Sequence, residues 1–145
     1  MNENAITQKV LRLMNSVPGC YSRKRHGGAF CSGDPDIAGV AYGRAFFCEM
    51  KVAGGELSKL QAVMLDKWSA AGADTSVAVY SPETKKIRVI HLHQGCTPED
   101  DEHWVDFAGP IDKIDGGFVW ELNPAGVSGW VESIPDCMGV LGGDA

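Results

Sequence analysis

The sequence predicts a mixed α/β fold in which a β-sheet is flanked by helices. Two segments show helical spacing of apolar residues, apolar runs of strand length lie before and after the second of them, and turn residues separate these runs. Hydrophobic residues make up 44% and charged residues 22% of the 145 residues, as is typical of a globular chain. A wholly disordered chain or a fibrous repeat is therefore excluded.

The first segment is predicted to be an amphipathic helix over residues 3–16. Its apolar residues share one stripe at helical spacing: Ile6, Val10, Leu13 and Met14. Pro18 and Gly19 end this helix. A short strand is predicted around residues 20–23, and a glycine-rich loop follows over residues 26–33.

Two further strands are predicted at residues 36–40 and 45–52, joined by a tight hairpin turn centred on Tyr42-Gly43. A turn at this point pairs residue 41 with residue 44. The same register continues outward until Asp36 lies opposite Glu49. The hairpin therefore predicts two carboxyl groups side by side on one face of the sheet.

A second helix is predicted after the loop 53–55, and it ends near Ala71-Gly72. Four apolar residues of this helix are expected on one face: Leu60, Val63, Met64 and Trp68. Strands are then predicted at residues 75–80 and 86–92, separated by a turn. The order of elements is α-β-β-β-α-β followed by a further strand, and it is complete by about residue 92.

We predict a core over residues 1–92 and an acidic extension over residues 93–145. Residues 91–145 contain one Lys against eleven Asp and Glu, and they also contain many large aromatic residues: Trp104, Phe107, Phe118, Trp120 and Trp130. This aromatic content is too high for a disordered tail. We therefore expect the extension to pack on the core or at a subunit interface.

The net charge of −6 hides an uneven distribution. Residues 1–60 contain eight Lys and Arg against five Asp and Glu, and three of these cations are adjacent: Arg23, Lys24 and Arg25. A cluster of this kind is typical of contacts with the DNA backbone, and an ordinary solvated surface is the alternative. Ser32 is a further candidate for a phosphate contact, or it starts the turn that follows.

The composition also indicates a compartment and limits the cofactors. No apolar run approaches the roughly 18 residues of a membrane span, and no signal peptide is apparent, so we expect a cytoplasmic protein. The five cysteines are scattered without a C-x-x-C pair, which argues against a zinc site or a disulfide framework. No small-molecule cofactor and no membrane partner are expected.

Asp36 and Glu49 predict a site for a divalent cation, because two opposed carboxylates repel each other unless a positive charge lies between them. Strand alternation places Lys51 on the same face and directs the intervening residues into apolar packing. Carboxylate oxygens hold Mg²⁺ or Mn²⁺, and such ions promote phosphodiester hydrolysis with help from a nearby cation. An isolated Glu-x-Lys triplet is common by chance, so the aspartate in register is the more informative signal.

Four short motifs, in this order and spacing, resemble those of one nuclease family: Gly33-Asp34-Pro35-Asp36-Ile37, Phe47-Cys48-Glu49-Met50-Lys51, Gly55-Glu56-Leu57-Ser58 with Gln61, and Ala71-Gly72-Ala73. Over residues 3–90 the chain is similar to the virus-type replication-repair (VRR-NUC) branch of the PD-(D/E)xK nucleases. The resemblance implies a restriction-endonuclease-like fold, with a mixed sheet flanked by helices.

The resemblance also implies roles for individual residues. The catalytic set would be Asp36, Glu49, Lys51 and Gln61, and the metal ligands would be Glu3, Asp36, Glu49 and the backbone carbonyl of Met50. Ser58 and Gln61 also match an S-x-x-Q capping box at the start of the second helix, so a purely structural role for Gln61 stays open. Glu3 also complements the dipole of the first helix.

The implied activity is a Mg²⁺- or Mn²⁺-dependent DNA endonuclease acting in replication, recombination or repair, and a phage is its expected source. Stand-alone members of the family resemble Holliday junction resolvases, which implies a homodimer that acts on branched DNA. One alternative is a non-catalytic DNA-binding or interaction module with the same fold. Another is a sequence-specific, restriction-like endonuclease, for which no reading helix is apparent.

Overall fold

The computed structural model describes residues 2–25, 33–92 and 103–142, with side chains through Pro135. Three α-helices occur in these ranges: α1 (Glu3–Asn15), α2 (Lys59–Ala70) and α3 (Pro124–Gly142). The strands are β1 (Cys20–Lys24), β2 (Ile37–Ala41), β3 (Arg44–Val52), β4 (Glu56–Leu57), β5 (Asp74–Ser81), β6 (Lys86–His91), β7 (Gly109–Pro110) and β8 (Phe118–Glu121). Two short 3-10 helices cover Trp104–Phe107 and Ile111–Lys113.

The main sheet contains six strands in the order β1-β2-β3-β5-β6-β8. β3 and β5 are parallel, and all other neighbours in this sheet are antiparallel. α2 makes the crossover between the two parallel strands. The predicted mixed sheet flanked by helices is therefore confirmed. β4 and β7 form a small separate ladder that the sequence did not predict.

The hairpin between β2 and β3 has the predicted register, with Ala41 opposite Arg44 and Ile37 opposite Cys48. Tyr42 and Gly43 both have positive φ angles, 49° and 84°. Two successive residues with positive φ form the hairpin turn whose twist matches that of the flanking strands. β2 begins at Ile37 rather than at the predicted residue 36, so Asp36 lies one position before the strand.

α1 agrees with its predicted bounds and packs the expected stripe against the sheet. The side chain of Asn2 accepts a hydrogen bond from the Ala5 amide at 2.8 Å and so caps the helix. Ile6, Val10 and Met14 are fully buried. No helix within the described ranges is both long enough and apolar enough to cross a membrane.

The predicted apolar face of α2 is only partly correct. Ala62 and Leu65 are its fully buried residues, whereas Leu60 is 50% exposed. Apolar residues occur on more than one side of this helix, so their spacing does not decide which side meets the sheet. Trp68 instead stacks on Phe47 of β3, with 4.0 Å between the ring centres.

The core consists of two clusters of buried apolar residues on opposite faces of the sheet. α1 and α3 cover one face, and α2 with the two 3-10 helices covers the other. Residues of the extension belong to both clusters: Trp130 is buried between α3 and the sheet, and Trp104 is buried beneath α2. The indole N–H of Trp104 donates to Thr75 of β5 at 3.2 Å. β8 adds the sixth strand beside β6.

Candidate metal and catalytic site

β3 presents two chemically different faces. Phe46, Cys48 and Met50 are fully buried in the cluster beneath α1 and α3. As the sequence predicted, Glu49 and Lys51 alternate with them and lie on the opposite face, which the structure shows to be the α2 side. Both are buried: Glu49 is 2% exposed and Lys51 is 9% exposed. An acidic and a basic side chain are thus held out of water within two residues of one strand.

Asp36 lies at the open end of the hairpin, where it continues the β2–β3 register toward Glu49. Its carboxylate accepts a hydrogen bond from the Met50 amide at 2.8 Å. The last backbone pair between β2 and β3 is Ile37 with Cys48, and this bond lies just beyond it. The side chain of Asp36 thus provides the acceptor that the backbone of a longer β2 would offer to Met50. The carboxylate is therefore held against β3, beside Glu49.

The carboxyl group of Glu49 is strongly perturbed. Burial, followed by the negative charge of Asp36, raises the pKa of Glu49 from its ordinary value of 4.5 to about 10. One of its oxygens, Oε2, is buried without a hydrogen-bond partner in the described structure. A buried carboxyl group of this kind requires either a proton or a cation, because an unpaired buried negative charge is unfavourable.

Gln61 connects Glu49 to Lys51. Its amide nitrogen donates to Glu49 Oε1 at 3.1 Å, and its amide oxygen accepts from Lys51 Nζ at 3.0 Å. The same side-chain oxygen of Gln61 accepts a hydrogen bond from the backbone amide of Ser58 at 3.0 Å. In return, the hydroxyl of Ser58 accepts one from the backbone amide of Gln61 at 3.1 Å. The capping box is therefore present, and the same Gln61 side chain also bridges the two buried ionisable residues.

Glu3, in the first turn of α1, is brought to the same neighbourhood. Partial desolvation raises its pKa, the positive charge of Lys51 lowers it, and the negative charge of Asp36 raises it further. Its charge in turn raises the pKa of Glu49. The fold thus collects three carboxyl groups and one ammonium group within mutual electrostatic range, although Glu3 itself is solvent-exposed.

These residues suit a hard divalent cation that keeps water or substrate among its ligands. They suit less well a metal whose ligands all come from protein side chains. In the described part of the chain, no three His, Cys, Asp or Glu side chains are grouped closely enough to hold a metal on their own. Mg²⁺ usually binds through one or two carboxylates and keeps water or substrate phosphate in its other positions. Asp36 and Glu49 match this smaller ligand set, and Oε2 of Glu49 has no hydrogen-bond partner among the described residues.

The cations predicted to contact DNA do not form a single patch. Arg23 is exposed on the α2 side of β1, while Lys24 points to the opposite side and donates to Asn4 of α1. Arg25 is paired with Asp34 at 3.0 Å. Ser32 lies outside the described residues. Strand alternation separates adjacent residues, which is why a run of three cations in the sequence is divided between two faces.

Three residues near the site had no role predicted from the sequence: Asp34, Phe47 and Trp68. The guanidinium of Arg25 lies 5.9 Å from the ring centre of Phe47 and 5.7 Å from that of Trp68, while Asp34 binds it from another side. Opposite charges directly before and after the glycine-rich loop were a signal that could have indicated the Arg25–Asp34 pair. The aromatic stack joins α2 to β3, and no local pattern indicated it.

The fold is similar to that of a solved nuclease structure. This is Hjc of Archaeoglobus fulgidus, a Holliday junction resolvase from an archaeal hyperthermophile, with a TM-score of 0.50 and 19% sequence identity over 61% of this chain and 71% of that chain. The restriction-endonuclease-like fold expected from the sequence is thereby confirmed. No protein-family model and no curated protein matches this sequence, so membership of the VRR-NUC branch stays a prediction.

Proposed function

We propose that this chain is a divalent-metal-dependent deoxyribonuclease that cuts branched DNA. The observation that carries the proposal is the buried Glu49 carboxyl group, which lies beside Asp36 and on the same face as Lys51. Burying this combination costs stability, because each charge loses its hydration. The cost in stability is explained if the Glu49 carboxyl group takes part in catalysis, because strongly perturbed pKa values are frequent at active sites.

Asp36 and Glu49 would hold the cation, with Glu3 and the main-chain carbonyl of Met50 as further ligands. The amide of Met50 already points to Asp36. The carbonyl of a strand residue points to the same side as its amide, so the Met50 carbonyl faces the same edge of β3. Mg²⁺ and Mn²⁺ both suit this oxygen set.

When bound, a divalent cation supplies Lewis acidity and neutralises charge that develops on a phosphate undergoing hydrolysis. The chain's own contribution is to place a second positive charge there. Lys51 Nζ is held at 3.0 Å by Gln61, so its ammonium group is already oriented before substrate arrives. We assign it to the phosphate or to the attacking water, where a fixed cation in a low-dielectric site is most effective.

The proposed substrate is branched DNA, on the basis of the likeness in fold to a Holliday junction resolvase. A homodimer would present two sites to a junction of matching two-fold symmetry. Arg23, which is exposed on the α2 side of β1, is proposed to contact the DNA backbone. We also propose that the chain is a member of the VRR-NUC family, that a phage encodes it, and that it acts in the cytoplasm of the bacterial host.

A second candidate is a DNA-binding module that retains the fold without cleaving. The raised pKa of Glu49 favours this alternative, because a proton in place of a cation would also neutralise the buried carboxyl group. It predicts that branched DNA is bound but never cut. The restriction-like alternative predicts cleavage confined to one duplex sequence.

The test is cleavage of labelled four-way junction, flap and linear duplex in Mg²⁺, in Mn²⁺ and in EDTA. Asp36→Asn retains an oxygen for the Met50 amide, and Glu49→Gln retains one for Gln61, so both variants should fold. We expect metal-dependent cutting of the junction by the wild type and by the exposed control Glu83→Gln, and none by either site variant. Cleavage in EDTA, or by Asp36→Asn, would refute the catalytic assignment. Junction binding without product in both metals would establish the second candidate.

A further inference from the structure

Arg25 is attached to the site by its main chain. β1 and β2 are paired up to Lys24 and Ile37, and the amide of Arg25 extends the ladder by donating to the carbonyl of Asp36 at 2.7 Å. The carboxylate of Asp36 in turn accepts from the Met50 amide. Asp36 is therefore held from two sides, through its backbone by Arg25 and through its side chain by β3.

The side chain of Arg25 is attached as well. Its Nη2 donates to Asp34 Oδ2 at 3.0 Å, and its guanidinium packs against the stacked rings of Phe47 and Trp68. Arginine suits this position because its planar cation forms hydrogen bonds at its edge and stacks on aromatic rings with its face. Arg25 thus connects β1 and the Asp34–Asp36 turn to β3 and α2.

A move of Arg25 toward a DNA phosphate would be costly. The side chain of Asp34 is only 9% exposed, and its second oxygen, Oδ1, is buried and has no hydrogen-bond partner among the residues that the structure describes. Removing the guanidinium would take from this buried carboxylate the ion pair that the described residues provide, which is strongly unfavourable. Arg23 has no such constraint, because it is exposed and its side chain has no ion pair or hydrogen bond within the described residues.

From these contacts we infer that Arg25 is a positioning residue for Asp36 and not a phosphate contact, and that Asp34 acts with it. The inference rests on the proposed function for the role of Asp36 as a metal ligand. Arg23 in β1 and Arg25 just after it therefore have different roles. Arg23 binds the DNA backbone, whereas Arg25 holds the turn that carries the metal-binding carboxylate.

The experiment compares Arg25→Met, Arg25→Lys, Asp34→Asn and the double variant Arg25→Met with Asp34→Asn. Mn²⁺ affinity is measured by isothermal titration calorimetry without DNA, and junction affinity is measured in EDTA over a range of salt concentrations. We expect each single variant to weaken Mn²⁺ binding about tenfold, as is typical when a residue that orients a metal ligand is lost. The double variant should be no weaker than either single one, because both changes remove one interaction.

Junction affinity in EDTA separates this role from a DNA contact. It should be unchanged in the Arg25 and Asp34 variants, whereas Arg23→Met should weaken it and reduce its salt dependence by about one phosphate contact. The inference is overturned if Arg25→Met behaves like Arg23→Met while Asp34→Asn retains wild-type Mn²⁺ affinity. Arg25→Lys keeps the charge and provides the folded comparison if Arg25→Met does not fold.

A further measurement distinguishes a failure of this inference from a failure of the proposed function. If the wild type binds no Mn²⁺ and cuts no DNA, the proposed function is wrong. The Met50 amide still reports whether Asp36 is in place, through its NMR chemical shift and hydrogen-exchange protection. Loss of that protection in both Arg25→Met and Asp34→Asn would support the positioning role, and unchanged protection would refute it.

Discussion

The two faces of β3 differ in kind although their residues alternate along one strand. The side chains of Phe46, Cys48 and Met50 are buried in the apolar cluster beneath α1 and α3, where burial of their apolar surface is favourable. On the opposite face, Glu49 and Lys51 are also buried, and their polar groups form hydrogen bonds with Gln61, which donates to Glu49 and accepts from Lys51. Burial therefore stabilises one face, whereas on the other it perturbs ionisable groups.

The apolar residues that stabilise one face of β3 are therefore distinct from the polar residues that the proposed chemistry uses on the other face. Substitutions of the apolar residues of β3 should change the free energy of unfolding, whereas substitutions of the polar residues beneath α2 should change cleavage or the pH dependence of stability. The two sets of residues lie on opposite sides of one sheet, so each provides a control for the other. Four predictions test this separation.

The largest effect is expected from Trp130→Ala on the apolar face. Trp130 is 1% exposed, and truncation of a buried tryptophan lowers the free energy of unfolding by about 3–5 kcal/mol. Urea denaturation measures this, with Phe118→Ala, which removes a ring that is 70% exposed, as a control expected to stay within about 0.5 kcal/mol. A small loss in Trp130→Ala would show that α3 contributes little to the core.

Lys51→Met should act on the other face. It retains the length of the side chain and removes the ammonium group that Gln61 orients, so the cleavage rate should fall about 10²- to 10³-fold. Single-turnover cleavage of a junction measures this, and Lys67→Met, at an exposed site on α2, is the matched control. Full activity in Lys51→Met would remove the lysine from the catalytic set.

Glu49 should make the stability of the metal-free protein depend on pH. Its pKa is raised from 4.5 to about 10, so between these values the folded protein holds a proton that the unfolded chain has released. The stability contributed by this group is therefore highest below pH 4.5 and decreases as pH rises toward 10.

Denaturation at several pH values in EDTA measures this slope, and Glu49→Gln should reduce it because glutamine does not titrate. Mn²⁺ should restore stability in the wild type at high pH, since the cation replaces the proton. Equal slopes in the wild type and Glu49→Gln would show that Glu49 is ionised at neutral pH without a cation.

The smallest effect is expected from Ser58→Ala. Loss of the N-cap should lower the free energy of unfolding by about 1 kcal/mol and leave Gln61 less firmly oriented toward Lys51. Cleavage should decrease less than in Lys51→Met, and Ser58→Thr should restore both properties because threonine also caps. If Ser58→Ala loses stability but retains the full cleavage rate, the cap does not contribute to the orientation of Gln61.

The predictable part of the fold and of the site depended on neighbours in the chain. The hairpin was predicted correctly because Tyr42-Gly43 favours a two-residue turn, and that turn sets the register for every pair up to Asp36. α1 was predicted from its single apolar stripe. The buried side of α2 was not, since its apolar residues do not define one face and contacts with the sheet decide between them.

The extension illustrates the same limit. Its aromatic content indicated that the extension would pack on the core. Composition does not indicate which face of the sheet each aromatic ring contacts. Trp104 lies beneath α2 and Trp130 beneath α3, on opposite sides of the sheet, because β8 runs along the sheet edge between them. The position of β8 depends on its pairing with β6, which lies about thirty residues earlier in the chain.

The amino-acid order alone therefore determines the turn at residues 41–44, the alternation along β3, and the pairing that brings Asp36 beside Glu49. Only the packed molecule decides that Gln61 bridges Glu49 and Lys51 and that Arg25 binds Asp34. Turn conformation and strand alternation are local properties of the backbone. The distances between a helix, a loop and a strand are instead set by how their side chains fill the shared interior.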